Sequence, residues 1–539
     1  MFGRRRKEKI RAWLRRRYGS VPSQEQEMKP GIRAYWQEYE RDLPQDEVVD
    51  EITWNDLEMD RIFWRMNTNC SFAGEQELFK TLHHIPKNKD NLDALEEQIQ
   101  YFTEHDDERE RIQMELFQLG KEENCYAIPA FVSGIGEQKV RYVWLFRLMQ
   151  LVLLGSVLLL CITRANQAWI LLGLVAMVNL VLYAVEKGRY EIYLDTLGGI
   201  IRIVRLSKKL VKDKTTVISG GKSIREHVSK LEKLTHMVAA LQNKKRASMS
   251  GDVMGLLQDY LFGITLWDFI QFDKVIHILQ NQEACFMELY AHVGRMDMAI
   301  AIASFRQSLE MYCLPEFVSP LCPVSSDTSN ILYAEGLYHP LVEGAVGNTV
   351  RFSGDCLITG SNASGKSTFI KAVAVNVILA ESIHTCTAGA FSLPDTRILT
   401  SMAVRDDMMK GESYFIKEVK YLKRIVDAAD ADRFLICVVD EILRGTNTKE
   451  RIAASFAVLD YLADRNCLAI VASHDVELAD LLGEAYERYY FCEKMTDDGI
   501  TFDYKIHEGV NDSRNAIRLL EYMGFPGEII RQARRYGSR

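Results

Sequence analysis

The sequence predicts a chain in two parts. A mostly α-helical first part contains a hairpin of two membrane-length helices, and an α/β second part is built on a phosphate-binding loop. Three observations carry this. Apolar runs at 143–163 and 168–185 are separated by only Arg164, Ala165, Asn166 and Gln167. Residues 360–367 read GSNASGKS between an apolar strand and an apolar helix. Two later apolar strands end in Asp-Glu and Ser-His.

With 539 residues and 47% apolar composition the chain can bury several cores and is not a disordered protein. A net charge of −8 excludes a surface that coats nucleic acid throughout, leaving only regional contacts. The 11 cysteines form no CxxC pair, the usage of reduced thiols in a cytosolic protein and not of a disulfide framework or a zinc ribbon.

Residues 1–30 form a basic tail with nine Lys or Arg by residue 17, and no signal-type apolar segment follows. As a helix it aligns Ile10, Trp13 and Leu14. That pattern fits a segment on an anionic membrane surface, a solvated tail or a nucleic-acid arm. Residues 31–142 and 186–325 are expected to be the two parts of one helical core and lever, interrupted by the hairpin at 143–185.

Each apolar run is long enough to cross roughly 30 Å of hydrocarbon. Arg147, near the start of the first, can snorkel to the headgroups. Lys139, Arg141, Lys187, Arg189, Arg202 and Arg205 flank the pair on the outside against Arg164 in the turn. The positive-inside rule therefore places both ends in the cytoplasm of a two-span protein of the cell (inner, cytoplasmic) membrane.

From 326 onward the pattern becomes α/β. Residues 355–359 are a short apolar strand, and the loop after it needs its residue types in that order. Gly360, Ser361, Asn362, Ala363, Ser364, Gly365, Lys366, Ser367 and Thr368 form the expected nucleotide-binding run. Gly365 lets backbone N–H groups turn toward phosphates, and the following helix presents its positive end. Lys366 reaches the β- and γ-phosphates, and Ser367 offers a hydroxyl to Mg²⁺. Next, FLICVVDE delivers Asp440, suited to Mg²⁺, and Glu441, suited to activating a water. CLAIVASH brings Ser473 and His474 to the same edge, with His474 as a γ-phosphate sensor. Together they predict ATP hydrolysis with Mg²⁺.

These motifs resemble the ATPase domain of the MutS family, DNA mismatch-repair ATPases of the ABC superclass. The resemblance rests on YHPLVE, TGSNASGKSTFIKAVAVNVILA, RDDMMKGESYFIKEV, DEILRGTNT, SHDVELADLL and GFPGEIIRQARR, and covers about two fifths of the chain. It implies an ABC-type P-loop domain over 326–539, a homodimer through those domains, and Ser413 touching the γ-phosphate of the opposite subunit. It also implies phosphate contact by Asn362 and a dimer-facing position for Thr446 and Thr448, which also suit N-capping of the helix that follows. Residues 52–83 and 287–304 resemble, less closely, segments of the family's core.

The sequence departs from that family in several places. Base-specific mismatch recognition is not expected, because the Phe-x-Glu at 286–288 lies in an apparent core helix where packing explains it. The family's Ser-Tyr-Gly is replaced by Arg514-Asn515-Ala516. The aromatic residue before the P-loop strand has no clear equivalent, and Tyr504 reads as sheet packing more readily than as an adenine stack. The expected function is a membrane-anchored MutS-type ATPase that couples ATP turnover in a dimer to conformational change. Non-sequence-specific DNA is its expected partner, with Lys208, Lys209, Lys212, Lys214, Lys222, Lys244, Lys245 and Arg246 as possible phosphate contacts. The alternatives are an ATP-driven transport or membrane-remodelling protein, and an ATP-binding clamp without turnover.

Overall fold

The structure is a computed structural model. It describes residues 2–23, 26–135, 143–213, 215–249, 263–318, 331–361, 364–402, 414–496, 499–510, 520–521 and 523–537. Asn362, Ala363 and Ser413 lie outside the described residues, as do Lys214 and Arg514-Asn515-Ala516.

The first part is helical, organised around the helices Phe72–His83 and Glu283–Gln307. Glycine lets them approach. A Cβ on Gly74 would meet Asp297 Oδ2 at 2.3 Å, and one on Gly294 would meet the Ala73 carbonyl at 2.8 Å. Asp297 is buried and accepts hydrogen bonds from Ser71 Oγ at 2.6 Å and from the backbone N–H groups of Ser71 at 2.7 Å and Cys70 at 3.0 Å. It thereby braces the turn into Phe72–His83, whose own cap is Ser71. The two core-like segments noted in the sequence therefore pack on each other. Phe286 is fully buried among these helices, so its Phe-x-Glu is packing.

The N-terminal segment is a docked helix, Phe2–Arg17, and not a solvated tail. Leu14 is buried, Trp13 lies 5.7 Å from the ring of Phe117, and Arg11 and Arg15 pair with Glu110 on the helix Asp106–Leu119. That second helix is held by Arg111 to Asp213 at 2.7 Å and by Glu115 to Lys209 at 2.6 Å. The attachment is at the far end of a 46-residue helix, Asn166–Val211. The basic helix is thus attached at the end of this helix remote from the apolar hairpin, with roughly 35–40 Å of helix between. The stripe Ile10, Leu14 packs on protein.

Among the described residues two helices are long and apolar enough to cross a membrane, Val143–Thr163 and the stretch Asn166–Glu186. Only 11% and 22% of their apolar windows is buried. A core hairpin of a soluble protein would be mostly covered. The second helix begins at Asn166, with Arg164 and Ala165 between it and the first, and runs unbroken through position 185 to Val211, about 69 Å in all. Its distal half is core: Leu197, Ile200, Ile201, Ile203, Val204 and Leu210 are buried. Arg147, expected to snorkel, lies 3.5 Å from Asp273 instead.

The second part is built on two mixed sheets and a hairpin. One sheet orders β1 (Glu316–Phe317), β5 (Ala390–Leu393), β2 (Leu332–Leu337) and β3 (Asn348–Phe352). The larger sheet runs β12 (His507–Glu508), β9 (Glu487–Tyr490), β4 (Cys356–Thr359), β8 (Cys467–Ala472), β7 (Leu435–Asp440) and β6 (Arg397–Ser401). All its neighbours are parallel except β12 with β9. Every residue of β4, β7 and β8 is buried, as expected of parallel strands covered on both faces. β10 (Glu493–Thr496) and β11 (Gly499–Phe502) form the hairpin.

The two parts meet along the helix Lys366–Ile383. Its Lys371 pairs with Glu58 at 3.0 Å, and its Glu381 pairs with Lys89. Just past its end, Arg306 of the core grips Glu96 twice at 2.7 Å and donates to the His384 carbonyl at 2.9 Å. Asp56 accepts from Thr400 Oγ1 at 2.7 Å and from the Met402 amide at 3.0 Å, fixing edge strand β6.

Candidate nucleotide site

The chemistry-bearing residues converge on the carboxyl edge of three adjacent strands, β4, β8 and β7. Their parallel register pairs Ile358 with Ala472, and Ala472 with Asp440. The loops leaving all three strands therefore start at one level, where open α/β sheets place ligands.

After β4 the chain turns through Gly360 at φ +144° and Gly365 at φ +109° into the helix that begins at Lys366. Both turns need glycine. A Cβ on Gly360 would lie 2.5 Å from the Phe491 carbonyl, and one on Gly365 3.2 Å from the Tyr504 ring. Lys366 Nζ donates to the carbonyls of Gly360 at 2.7 Å and Ser361 at 2.8 Å. Burial pulls this ammonium down to about 8, against the nearby Asp440 and Glu441 carboxylates. Ser364 Oγ closes the loop on the Ser361 carbonyl at 2.8 Å, and Ser361 Oγ donates to Glu493 at 2.6 Å. Ser367 and Thr368 stand exposed at the start of the helix.

Asp440 ends β7. It is buried, and its Oδ1 has no hydrogen-bond partner among the described residues. A buried carboxylate oxygen with spare lone pairs and an exposed serine hydroxyl supply the oxygen donors that a hard divalent cation takes, so the residue types of Asp440 and Ser367 fit Mg²⁺. Glu441 follows in the left-handed region at φ +55°, a strained conformation of the kind that accumulates at functional sites. Its Oε1 lies 2.8 Å from His474 Nε2, and Arg444 pairs with Oε2. Burial pushes the Glu441 carboxyl up, but the His474 hydrogen bond and the Arg444, His474 and Lys366 charges outweigh it and hold the group below its ordinary value. Glu441 is thus an ionised acceptor.

His474 is positioned from both sides. The Ser473 amide donates to the Ile358 carbonyl of β4 at 3.0 Å. Asp475 takes a two-pronged bond from Arg451 at 2.8 and 2.9 Å, tying the loop to the helix Thr448–Ala463. That helix is capped by Asn447, whose side chain accepts from the Glu450 amide at 3.1 Å. Thr446 and Thr448 are therefore not its caps: Thr446 donates to Glu450 and Thr448 is already helical.

A cavity of about 560 Å³ opens beside the loop. Its walls include Lys366, Ser367, Thr368, His339, Val346 and Tyr504. Burial lowers His339 to about 4, so its ring is neutral, and its Nδ1 accepts from the Leu341 amide at 3.2 Å. Tyr504 is not sheet packing. It lies past the end of β11 at φ +53°, 45% exposed, with its ring in the cavity wall. Asn348 fixes this turn by donating to the Tyr504 carbonyl at 3.0 Å and accepting from the Ile506 amide at 2.9 Å.

Sequence reasoning found Lys366, Asp440, Glu441 and His474, which the fold brings to one edge. It missed the roles of Arg444, Asn348 and the Arg451–Asp475 pair. Arg444 alone carried a local signal, a cation three residues after the acid. The basic group after the hairpin is partly self-neutralised, since Lys208 pairs with Glu232 and Lys209 with Glu115.

Residues 356–539 match the family described as MutS domain V. The DNA mismatch repair protein MutS of Natronomonas pharaonis is 31% identical over 252 residues, covering 45% of this chain and 28% of that protein. The Finegoldia magna protein of the same name is 33% identical over 211 residues, 36% of this chain and 24% of its own length. The DNA mismatch repair protein MSH2 of Saccharomyces cerevisiae is 28% identical over 285 residues, 49% and 29% respectively. The chain thus spans less than a third of the length of these relatives. Residues 356–539 are thus similar to MutS domain V, and the similarity to the MutS and MSH2 proteins covers 36–49% of the chain.

Proposed function

We propose that the chain is a membrane-anchored ATPase of MutS type, with ATP bound at the edge of β4, β8 and β7 and hydrolysed by a water that Glu441 deprotonates. The observation that carries this is the meeting of Lys366, the buried and partly unpartnered carboxylate of Asp440, and the Glu441–His474 pair at one sheet edge. The triphosphate lies along the loop 360–368, with the amides and Lys366 as its cationic cradle. Ser367 and Asp440 would hold Mg²⁺, which would supply charge neutralisation at the phosphates. Glu441 accepts the water's proton, and His474, released from Oε1, hydrogen-bonds the γ-phosphate. Arg444 occupies the other carboxylate oxygen, so its departure sets when the base is free. The adenine occupies the end of the cavity lined by Tyr504, Val346 and neutral His339.

The exposed apolar hairpin is read as two transmembrane spans with both ends cytoplasmic. In a homodimer, Ser413 and Thr446 would face the opposite subunit. Nucleotide-driven movement of the helix Lys366–Ile383 would pass through Glu381, His384 and Arg306 into the core, then along the continuous helix Asn166–Val211 to the bilayer. Two of the relatives' printed names, MutS and MSH2, are DNA mismatch repair proteins, and DNA bound through its backbone is the proposed partner of the core. Steady-state ATPase of the nanodisc-held chain, with duplex and branched DNA at two salt concentrations, tests this. Salt-sensitive stimulation is expected. Turnover indifferent to every DNA would remove DNA from the proposal, and absence of any turnover would remove the ATPase.

A further inference from the structure

Past the carboxyl end of β9, Cys492, Asp503 and His507 each bring one ligand atom to within 4.8 Å of the others, all half-buried. We propose that these three side chains bind a zinc ion, with water as the fourth ligand, and that the ion staples the β10–β11 hairpin beneath the P-loop. Local structure supplies the convergence. His507 is paired across the β9–β12 ladder with Tyr490, on whose ring it stacks at 5.2 Å, and Cys492 follows Tyr490 by two residues on the same strand path. Asp503 opens the turn that returns the chain from β11, where its Oδ1 accepts from the Lys505 amide at 3.1 Å. That bond turns Oδ2 toward His507 Nε2, 3.4 Å away. Asn348 pins the same turn at Tyr504 and Ile506, so two of the three ligands sit on backbone that is already fixed.

The donor set selects the metal. A thiolate, an imidazole and a carboxylate together suit Zn²⁺, whereas Mg²⁺ and Ca²⁺ take oxygen alone. Tetrahedral zinc with bonds of about 2.0–2.3 Å holds ligand atoms roughly 3.3–3.6 Å apart, which the Asp503–His507 pair at 3.4 Å already meets, so Cys492 closes on them by at most about 1.5 Å. Cys492 gives up its proton to solvent as the ion binds. The neighbours of Cys492 both touch the loop: the Phe491 carbonyl lies against Gly360, and Glu493 accepts from Ser361 Oγ. Fixing residue 492 therefore fixes the support of the first turn of the P-loop and the position of Tyr504. This last consequence rests on the nucleotide reading; the metal site does not.

The test loads the full chain in detergent with Zn²⁺, removes excess, and measures metal content and competition against a chromophoric chelator. Wild type is compared with Cys492→Ser, Asp503→Asn and His507→Gln, with Cys285→Ser as a thiol control and Lys366→Ala as a nucleotide-site control. One zinc per chain is expected in wild type and both controls, with at least tenfold weaker binding in each ligand variant. Co²⁺ should give a thiolate charge-transfer band that Cys492→Ser lacks. Equal zinc retention in wild type and the three ligand variants, or none in wild type, overturns the proposal. If Cys492→Ser fails to fold by circular dichroism, the shape-conserving Asp503→Asn and His507→Gln decide alone. Because Lys366→Ala should keep its zinc, failure of the nucleotide reading is read separately.

Discussion

The helices Lys366–Ile383 and Val143–Thr163 are both apolar for most of their length, yet the first is covered on nearly every face and the second leaves most of its side chains open. Leu154, Leu158 and Ile162 are 66%, 64% and 74% exposed, whereas Val373, Val377, Ile378 and Leu379 are fully buried. The polar residues of the two helices separate them. In the buried helix Asn376 donates to Thr387 Oγ1 at 2.9 Å and accepts from the Thr387 amide at 2.6 Å. Glu381 accepts from the Thr396 amide at 3.0 Å as well as from Lys89. A helix inside a protein core can hold polar groups because other elements supply partners. In the exposed helix Ser156 and Thr163 bond back to the Leu153 and Leu159 carbonyls of their own helix, while Arg147 and Gln150 nearer its start reach Asp273 and the Thr265 carbonyl.

The sharpest way to break this contrast is to put the same charge in both helices. Ile378→Asp buries an unpaired carboxylate and should abolish folding of the C-terminal part, since the cost of several kcal/mol approaches the whole stability of a domain. Leu158→Asp should leave the melt of the detergent-held chain unchanged and cost about 2.5–3.5 kcal/mol of membrane insertion. Protease resistance and carbonate extraction of the two variants decide. A folded Ile378→Asp, or a Leu158→Asp that unfolds in detergent, would reverse the assignment of inside and outside.

A smaller effect comes from the first residue of the buried helix. Burial has drawn Lys366 down to about 8, so its ammonium is lost as pH rises through that value, and phosphate binding must restore the proton. ATP affinity should be flat below about pH 7 and weaken by up to tenfold per pH unit above about 8. Affinity that stays constant to about pH 9.5 would mean that Lys366 is as solvated as an ordinary lysine. Smallest is the cap of Thr448–Ala463: Asn447→Ala should cost about 1 kcal/mol in a denaturant titration, and Thr448→Ala less than about 0.5 kcal/mol.

What could be read in the sequence followed from how local the signal was. The strand–loop–helix around Lys366, and the Asp-Glu and Ser-His at strand ends, are contiguous runs whose chemistry depends on neighbours in the chain. The length of the hairpin was legible for the same reason. Its continuation to Val211 was not, because the pattern changes from uniformly apolar to amphipathic without any helix break. The N-terminal stripe of Ile10, Trp13 and Leu14 shows that one face is apolar but not what covers it, and Glu110 and Phe117 lie about a hundred residues away. Tyr504 was misjudged since its role depends on a turn fixed by Asn348 from another sheet. Thr446 and Thr448 lost the cap to Asn447 by one residue, within the usual uncertainty of a helix start.

The most direct test of the central claim is ATP binding and steady-state hydrolysis by the nanodisc-held chain beside its Glu441→Gln variant. The amide keeps the shape and the His474 contact but cannot take a proton. Binding within about twofold of wild type and turnover lowered at least ~100-fold is the predicted result. A Glu441→Gln chain that hydrolyses ATP at the wild-type rate would contradict the assignment of Glu441 as the base, and with it the reading of the whole edge of β4, β8 and β7.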